Sequence, residues 1–145
     1  MTKILFICHG NICRSAAAEA IAKDIVHQKG LDNDYYFDSA AVSSEEIGNP
    51  MYPPMRRELE SRGIPIPFHR ARRVTQKDIE TFDVVFYMDS SNERLLRYQG
   101  LLKDNVISLC EYGSGFDEIE DPWYSGRYGL VVDQISICIK NYLSK

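Results

Sequence analysis

"KILFICHGNICRS" (residues 3–15) decides how the chain is read. Lys3 to Cys8 form a short, mainly apolar run that suits a buried strand, and Gly10–Asn11 then supply a tight turn. From Arg14 the period changes. Ala17, Ile21 and Ile25 recur every four residues through an alanine-rich stretch, which predicts a helix over 14–28. A strand, a glycine-containing turn and a helix follow one another, the opening of a βα unit.

The rest of the chain continues the alternation. "YYFDSA" (35–40) reads as a second strand, and a loop with three prolines (43–54) leads into "MRRELESRG" (55–63), a helix closed by Gly63. Thr75 with Asp78 three residues on is a variant capping box, predicting a short helix. "FDVVFYM" (82–88) is the strongest strand, a helix follows over 90–98, and "NVISL" (105–109) is the fourth strand. A last helix carries Val131, Ile135, Cys138 and Tyr142 on one face. The expected fold is α/β: a single domain over 1–145, with a four-stranded parallel sheet flanked by helices on both faces. Such sheets bind ligands beyond the C-terminal ends of their strands, so the loop after strand one is the first candidate site.

Composition narrows the function classes. At 145 residues and 44% hydrophobic content, the chain fits one well-cored domain. A net charge of −4 gives no electrostatic basis for binding nucleic acid. The apolar run Ile4–Cys8 is too short for a secretory signal or membrane span, and no longer run exists; the reading is soluble, cytoplasmic and without a membrane partner. The four cysteines, Cys8, Cys13, Cys110 and Cys138, contain no C-x-x-C pair, and His9, His27 and His69 are scattered, so no metal site is expected. The glycines after strand one do not match G-x-G-x-x-G, which argues against dinucleotide binding.

The loop itself carries chemistry. Its backbone N–H groups can curl inward as an anion nest, and the following helix adds free N–H groups and the positive end of its dipole. An oxyanion held by the Cys8, His9, Gly10, Asn11, Ile12 and Cys13 backbone would also meet the planar fork of Arg14. The same field favours a thiolate beneath it. Plainer readings stand beside these. Asn11 suits a turn, Ser15 a helix cap, Cys13 a small buried position, Asp121 an Asp-Pro turn and His69 the surface of the basic stretch "HRARR"; Cys110 and Cys138 suit the core.

"ILFICHGNICRSAAAEA" (4–20) resembles the phosphate-binding loop of the low-molecular-weight protein tyrosine phosphatases. "DSA" (38–40), "HRAR" (69–72), "MDSSN" (88–92) and "EDPWY" (120–124) resemble further segments of that family, in its order, so the likeness runs from residue 3 to the last helix. The resemblance implies hydrolysis of a phosphotyrosine-containing protein or small aryl phosphate, with phosphate as product and no cofactor. It makes Cys8 the nucleophile, Arg14 and the loop amides the phosphate clamp, and Asp121 the general acid and then base. It has Ser15 stabilise the Cys8 thiolate, Asn11 brace the loop with Ser39 and His69 as partners, and Cys13 form a reversible protective disulfide with Cys8. Trp123 and Tyr124 are expected as pocket walls. Ile12 stands where the related arginine phosphatases typically carry threonine, which favours tyrosine over arginine.

One stretch departs from the pattern. Glu45–Glu46 occupy the place where many members have an aromatic wall, with Tyr52 as the nearest substitute. An acidic rim disfavours acidic phosphopeptides and favours basic ones. Two alternatives share the cradle. An arsenate reductase on the same fold needs relay cysteines, and "TFDVVFYMDSS" (81–91) has none. A binding module would hold phosphotyrosine without hydrolysing it, yet Cys8, Arg14 and Asp121 are all present.

Overall fold

In the computed structural model, which describes residues 1–145, strand β1 (Thr2–Cys8) sends Ile4, Phe6 and Cys8 into one core cluster and Leu5 and Ile7 into a second. Successive strand side chains point to opposite faces, so an unbroken apolar run means that both faces are covered. Helices α1 (Arg14–Gln28), α2 (Pro53–Ser61) and α6 (Tyr128–Leu143) contribute to the first cluster. Helices α3 (Gln76–Thr81) and α4 (Ser90–Tyr98) contribute Ile79 and Leu96 to the second. No helix is long and apolar enough to cross a membrane.

Strands β2 (Tyr35–Ala41), β3 (Val84–Tyr87) and β4 (Val106–Ser108) complete a four-stranded parallel sheet in the order β2-β1-β3-β4. Ile7 pairs with Ala40 on one side and Tyr87 on the other. The chain leaves β1 toward β2 and returns to β3 on the opposite side, so the order reverses at β1. The loop after β1 opens at that switch point. Helix α1 is buried along most of its length, and its alanines at 16, 17, 18, 20 and 22 allow it to lie close to β1 and α6.

Several boundaries shift from the sequence reading. Helix α2 begins at Pro53 rather than Met55, because Pro53 and Pro54 occupy the first helical turn, where no N–H is needed. Strand β3 is shorter than 82–88. The Phe82 N–H closes α3 on the Asp78 carbonyl, and the Met88 N–H is taken by the Asn92 side chain. Leu109 leaves β4 for a 3-10 turn (Leu109–Tyr112). A one-turn helix, α5 (Pro122–Ser125), occupies the Asp-Pro segment, capped by Asp121.

Candidate active site

The loop His9–Cys13 presents two chemically different edges. The Cys8 carbonyl accepts from the Val42 N–H (3.1 Å), that of His9 from the Ser43 N–H (3.1 Å), that of Ile12 from the Tyr52 N–H (2.8 Å) and that of Cys13 from the Ala17 N–H (2.9 Å). The Asn11 carbonyl meets His69 Nε2 at 2.6 Å. The N–H groups of His9 to Cys13, by contrast, donate to no protein acceptor. Carbonyls tied outward and amides left over are what an anion-binding nest requires.

Asn11 makes this geometry possible. Its φ of 61° is the only positive value outside glycine, in the left-handed region that asparagine tolerates better than most residues. Its side chain is fully buried: Nδ2 donates to Ser15 Oγ (2.8 Å), and Oδ1 accepts from the Arg72 N–H (3.1 Å). Arg72 is fixed in turn by Asp38 (3.0 Å) and Asp78 (2.9 Å). Ser39 does not join this bracing. It faces α1 from β2 and donates to Glu19 Oε1 at 2.6 Å; the isolated bridge between Ala41 and Arg73 brings the Arg72 backbone to Asn11 instead.

Cys8 Sγ lies 3.0 Å from Ser15 Oγ in the buried floor. The Asn11 amide nitrogen can only donate, so the Ser15 oxygen accepts from it and keeps its own proton for the sulfur. Ser15 is not the cap of α1; Cys13 holds that position, with no side-chain cap bond. Burial pushes the Cys13 thiol well up, the negative charges of Cys8 and Asp121 add to this, and Arg14 opposes it; Cys13 is a neutral thiol at neutral pH.

Arg14 is 2% exposed. Its Nη1 donates to Asp89 Oδ2 (2.8 Å) and the Ile119 carbonyl (2.9 Å), while Nη2 reaches Asp121 Oδ2 at 3.5 Å. Burial alone would weaken its basicity, but Cys8, Asp89 and Asp121 raise it, so the guanidinium stays charged. Asp89 is the residue of this cluster that the sequence reading left without a role. Its other oxygen caps α4 through the Asn92 N–H (2.8 Å). The available signal was topological: an acid just beyond β3 lands beside the loop only because β3 neighbours β1.

These groups open into a cleft of about 650 Å³ lined by Cys8, Ile12 and Arg14 from the loop, Glu45 and Glu46 from the segment after β2, and Asp121, Trp123 and Tyr124 from the start of α5. Asp121 is fixed by accepting the Trp123 N–H on Oδ1 (3.0 Å). Glu45 Oε1 sits 3.1 Å from His9 Nε2. A Cβ on Gly10 would come within 3.2 Å of Glu46 Cγ, so the two loops approach closely here and a larger residue would make the Glu46 side chain give way. Tyr52 does not line the cleft; its ring packs 5.0 Å from that of Trp123 and stands behind the wall. Cys110 and Cys138 lie outside the cleft, and Cys138 is buried in the first core cluster.

The chain has counterparts among known proteins. Residues 3–145 match the family model described as low molecular weight phosphotyrosine protein phosphatase. The human low molecular weight phosphotyrosine protein phosphatase is 37% identical over 155 residues, covering 98% of this chain and 94% of that protein. The crystal structure of YfkJ from Bacillus subtilis superposes with a TM-score of 0.93 at 33% identity, over 99% of this chain and 93% of that one. That of a Drosophila arginine phosphatase gives 0.88 at 30% identity, over 99% and 96% of the two chains. A match of this extent, in sequence and in fold, places the chain in the low molecular weight phosphotyrosine protein phosphatase family.

Proposed function

We propose that the protein is a protein tyrosine phosphatase working in the cytoplasm through a phosphocysteine intermediate. The observation that carries this reading is the pairing of Cys8 and Arg14 with a run of loop amides, His9 to Cys13, that have no acceptor in the protein. In the first step the Cys8 thiolate attacks phosphorus in line, an S–P bond forms and the P–O bond to the aryl group breaks. The Asp121 carboxyl gives its proton to the departing phenolate. In the second step Asp121, now a carboxylate, takes a proton from water; the water oxygen bonds to phosphorus, the S–P bond breaks, and phosphate leaves.

The loop amides and Arg14 hold the three non-reacting oxygens through both steps, so charge stabilisation is built before the substrate arrives. Ser15 donates to the sulfur each time it carries charge. Water is the only co-reactant, and the reaction balances without a cofactor. Trp123 and Tyr124 flank the aryl ring, and Ile12 gives it an apolar contact. The likeness to an arginine phosphatase supports phosphoarginine as the second reading.

The test is phosphate release from phosphotyrosyl, phosphoarginyl and phosphoseryl peptides by wild type and by Cys8→Ser. Turnover of phosphotyrosine alone, abolished in Cys8→Ser, is the expected result. Faster release from phosphoarginine would move the assignment to the second reading, and tight binding with no release would make the protein a binding module.

A further inference from the structure

The floor of the cleft is rich in donors, whereas its walls are acidic. Glu45, Glu46, Asp89, Glu118, Glu120 and Asp121 all line it, and Arg14 is the only lysine or arginine among the lining residues. Arg14 is shared between Asp89 and Asp121 and can balance only one of them, and Arg127 pairs with Glu120. Glu45 meets only the imidazole of His9, in a pair open to water. Glu46 and Glu118 have no cationic partner. Glu46 packs against the phosphate loop at Gly10, so its carboxylate is held beside the entrance.

A bare phosphomonoester dianion is therefore drawn to the floor and repelled by the rim. That conflict is relieved when the ligand carries its own positive charge next to the phosphoryl group. Screening does not remove it, because groups sharing one cleft lie within a Debye length of about 8–10 Å at ordinary salt. The arrangement fits a ligand with an anionic head and cationic shoulders.

We infer that Glu45, Glu46 and Glu118 are specificity-determining residues that select phosphotyrosyl segments flanked by lysine or arginine. This inference rests on the phosphatase reading and names its substrate class. The glutamates that stand in place of an aromatic wall thereby gain a positive role. They pair with side chains beside the phosphotyrosine, while Trp123 and Tyr124 hold its ring.

The experiment compares two phosphotyrosyl peptides that differ only in having two flanking lysines or two flanking glutamates. Wild type should favour the basic peptide by about tenfold in kcat/KM at low salt, and by no more than about threefold at high salt. Glu45→Gln/Glu46→Gln should lose most of this ratio, and Glu118→Gln part of it. Equal rates for the two peptides in wild type, or a ratio unchanged in Glu45→Gln/Glu46→Gln, would overturn the inference. So would a phosphoarginyl peptide outrunning the basic phosphotyrosyl one, since the carboxylates would then serve the substrate's own guanidinium. Titrating both peptides into Cys8→Ser separates the two levels of the reading. Tighter binding of the basic peptide without turnover in wild type would sink the phosphatase reading and keep the rim selection; turnover with no preference would do the reverse.

Discussion

The guanidinium of Arg14 and the carboxylate of Asp89 meet at 2.8 Å, and the same carboxylate caps α4 with its second oxygen. One acid thus ties Arg14, at the start of α1, to the strand-helix unit beyond it. Asp89→Asn keeps an oxygen for the Asn92 N–H and removes the charge, whereas Asp89→Ala removes both. A hydrogen bond to a charged group is worth about 1.5–3 kcal/mol, so kcat/KM should fall roughly ten- to hundredfold in either variant. Asp89→Ala should also lose about 1 kcal/mol more stability in urea, the typical value of a helix cap. Equal urea midpoints for the two variants would show that the cap contributes nothing.

Ser15 is placed to donate to Cys8 because Asn11 fills its acceptor site. Ser15→Ala should slow alkylation of Cys8 by iodoacetate at pH 7 and lower kcat by about tenfold or more, with little change in competitive inhibition by phosphate. The variant also strands the buried Asn11 Nδ2, at a stability cost of about 1–3 kcal/mol. Unchanged alkylation would remove Ser15 from the chemistry and leave it a packing residue.

Cys13 shares the loop with Cys8. Burial keeps the Cys13 thiol protonated, so iodoacetamide at neutral pH should label Cys8 and leave Cys13 intact. Peroxide should convert Cys8 to a sulfenic acid, which Cys13 then attacks, expelling water and forming a disulfide. Thiol treatment should restore activity to oxidised wild type but not to oxidised Cys13→Ser, in which Cys8 proceeds to irreversible acids. Full recovery of Cys13→Ser would end the protective assignment.

Asp78 links acid sensitivity to the bracing of the loop. Burial alone would raise its carboxyl, but Arg72 and the Thr75 N–H hold it below its ordinary value of 3.8. A carboxyl lowered on folding adds stability that is fully present above pH 3.8 and lost as pH falls through the folded-state value. Asp78→Asn should therefore be less stable than wild type at pH 7, by about 1 kcal/mol in urea, with the gap closing as pH falls through the lowered folded-state value. A gap that stays constant with pH would assign the effect to packing.

The opening strand, turn and helix were legible because a continuous apolar run gives way to a four-residue recurrence within a few residues of Cys8. The last strand residues were not. "FDVVFYM" is apolar but for Asp83, and nothing local shows that Phe82 ends α3 while packing in the second core cluster. Helix α5 escaped notice because an Asp-Pro turn and a capped one-turn helix share the same letters. In the site, residues within the loop could be read together, since β1 and α1 deliver them locally. Asp89 could not, because its place depends on which strand neighbours β1. The exchange of Ser39 for Arg72 as a partner of Asn11 was invisible for a different reason: Arg72 takes part through its backbone N–H, which every non-proline residue has.

The unpaired amides of His9 to Cys13 have a consequence for the reaction's end rather than its beginning. Donors aimed at non-reacting oxygens would not distinguish an ester from free phosphate, so a cradle that favours the proposed chemistry would also retain what that chemistry releases. Inorganic phosphate should act as a product inhibitor and, by binding only the folded chain, as a thermal protectant. At a hundred times its dissociation constant it would add about 2.7 kcal/mol to the stability of the fold. The protein would then be slowest, and hardest to unfold, where phosphate is most abundant.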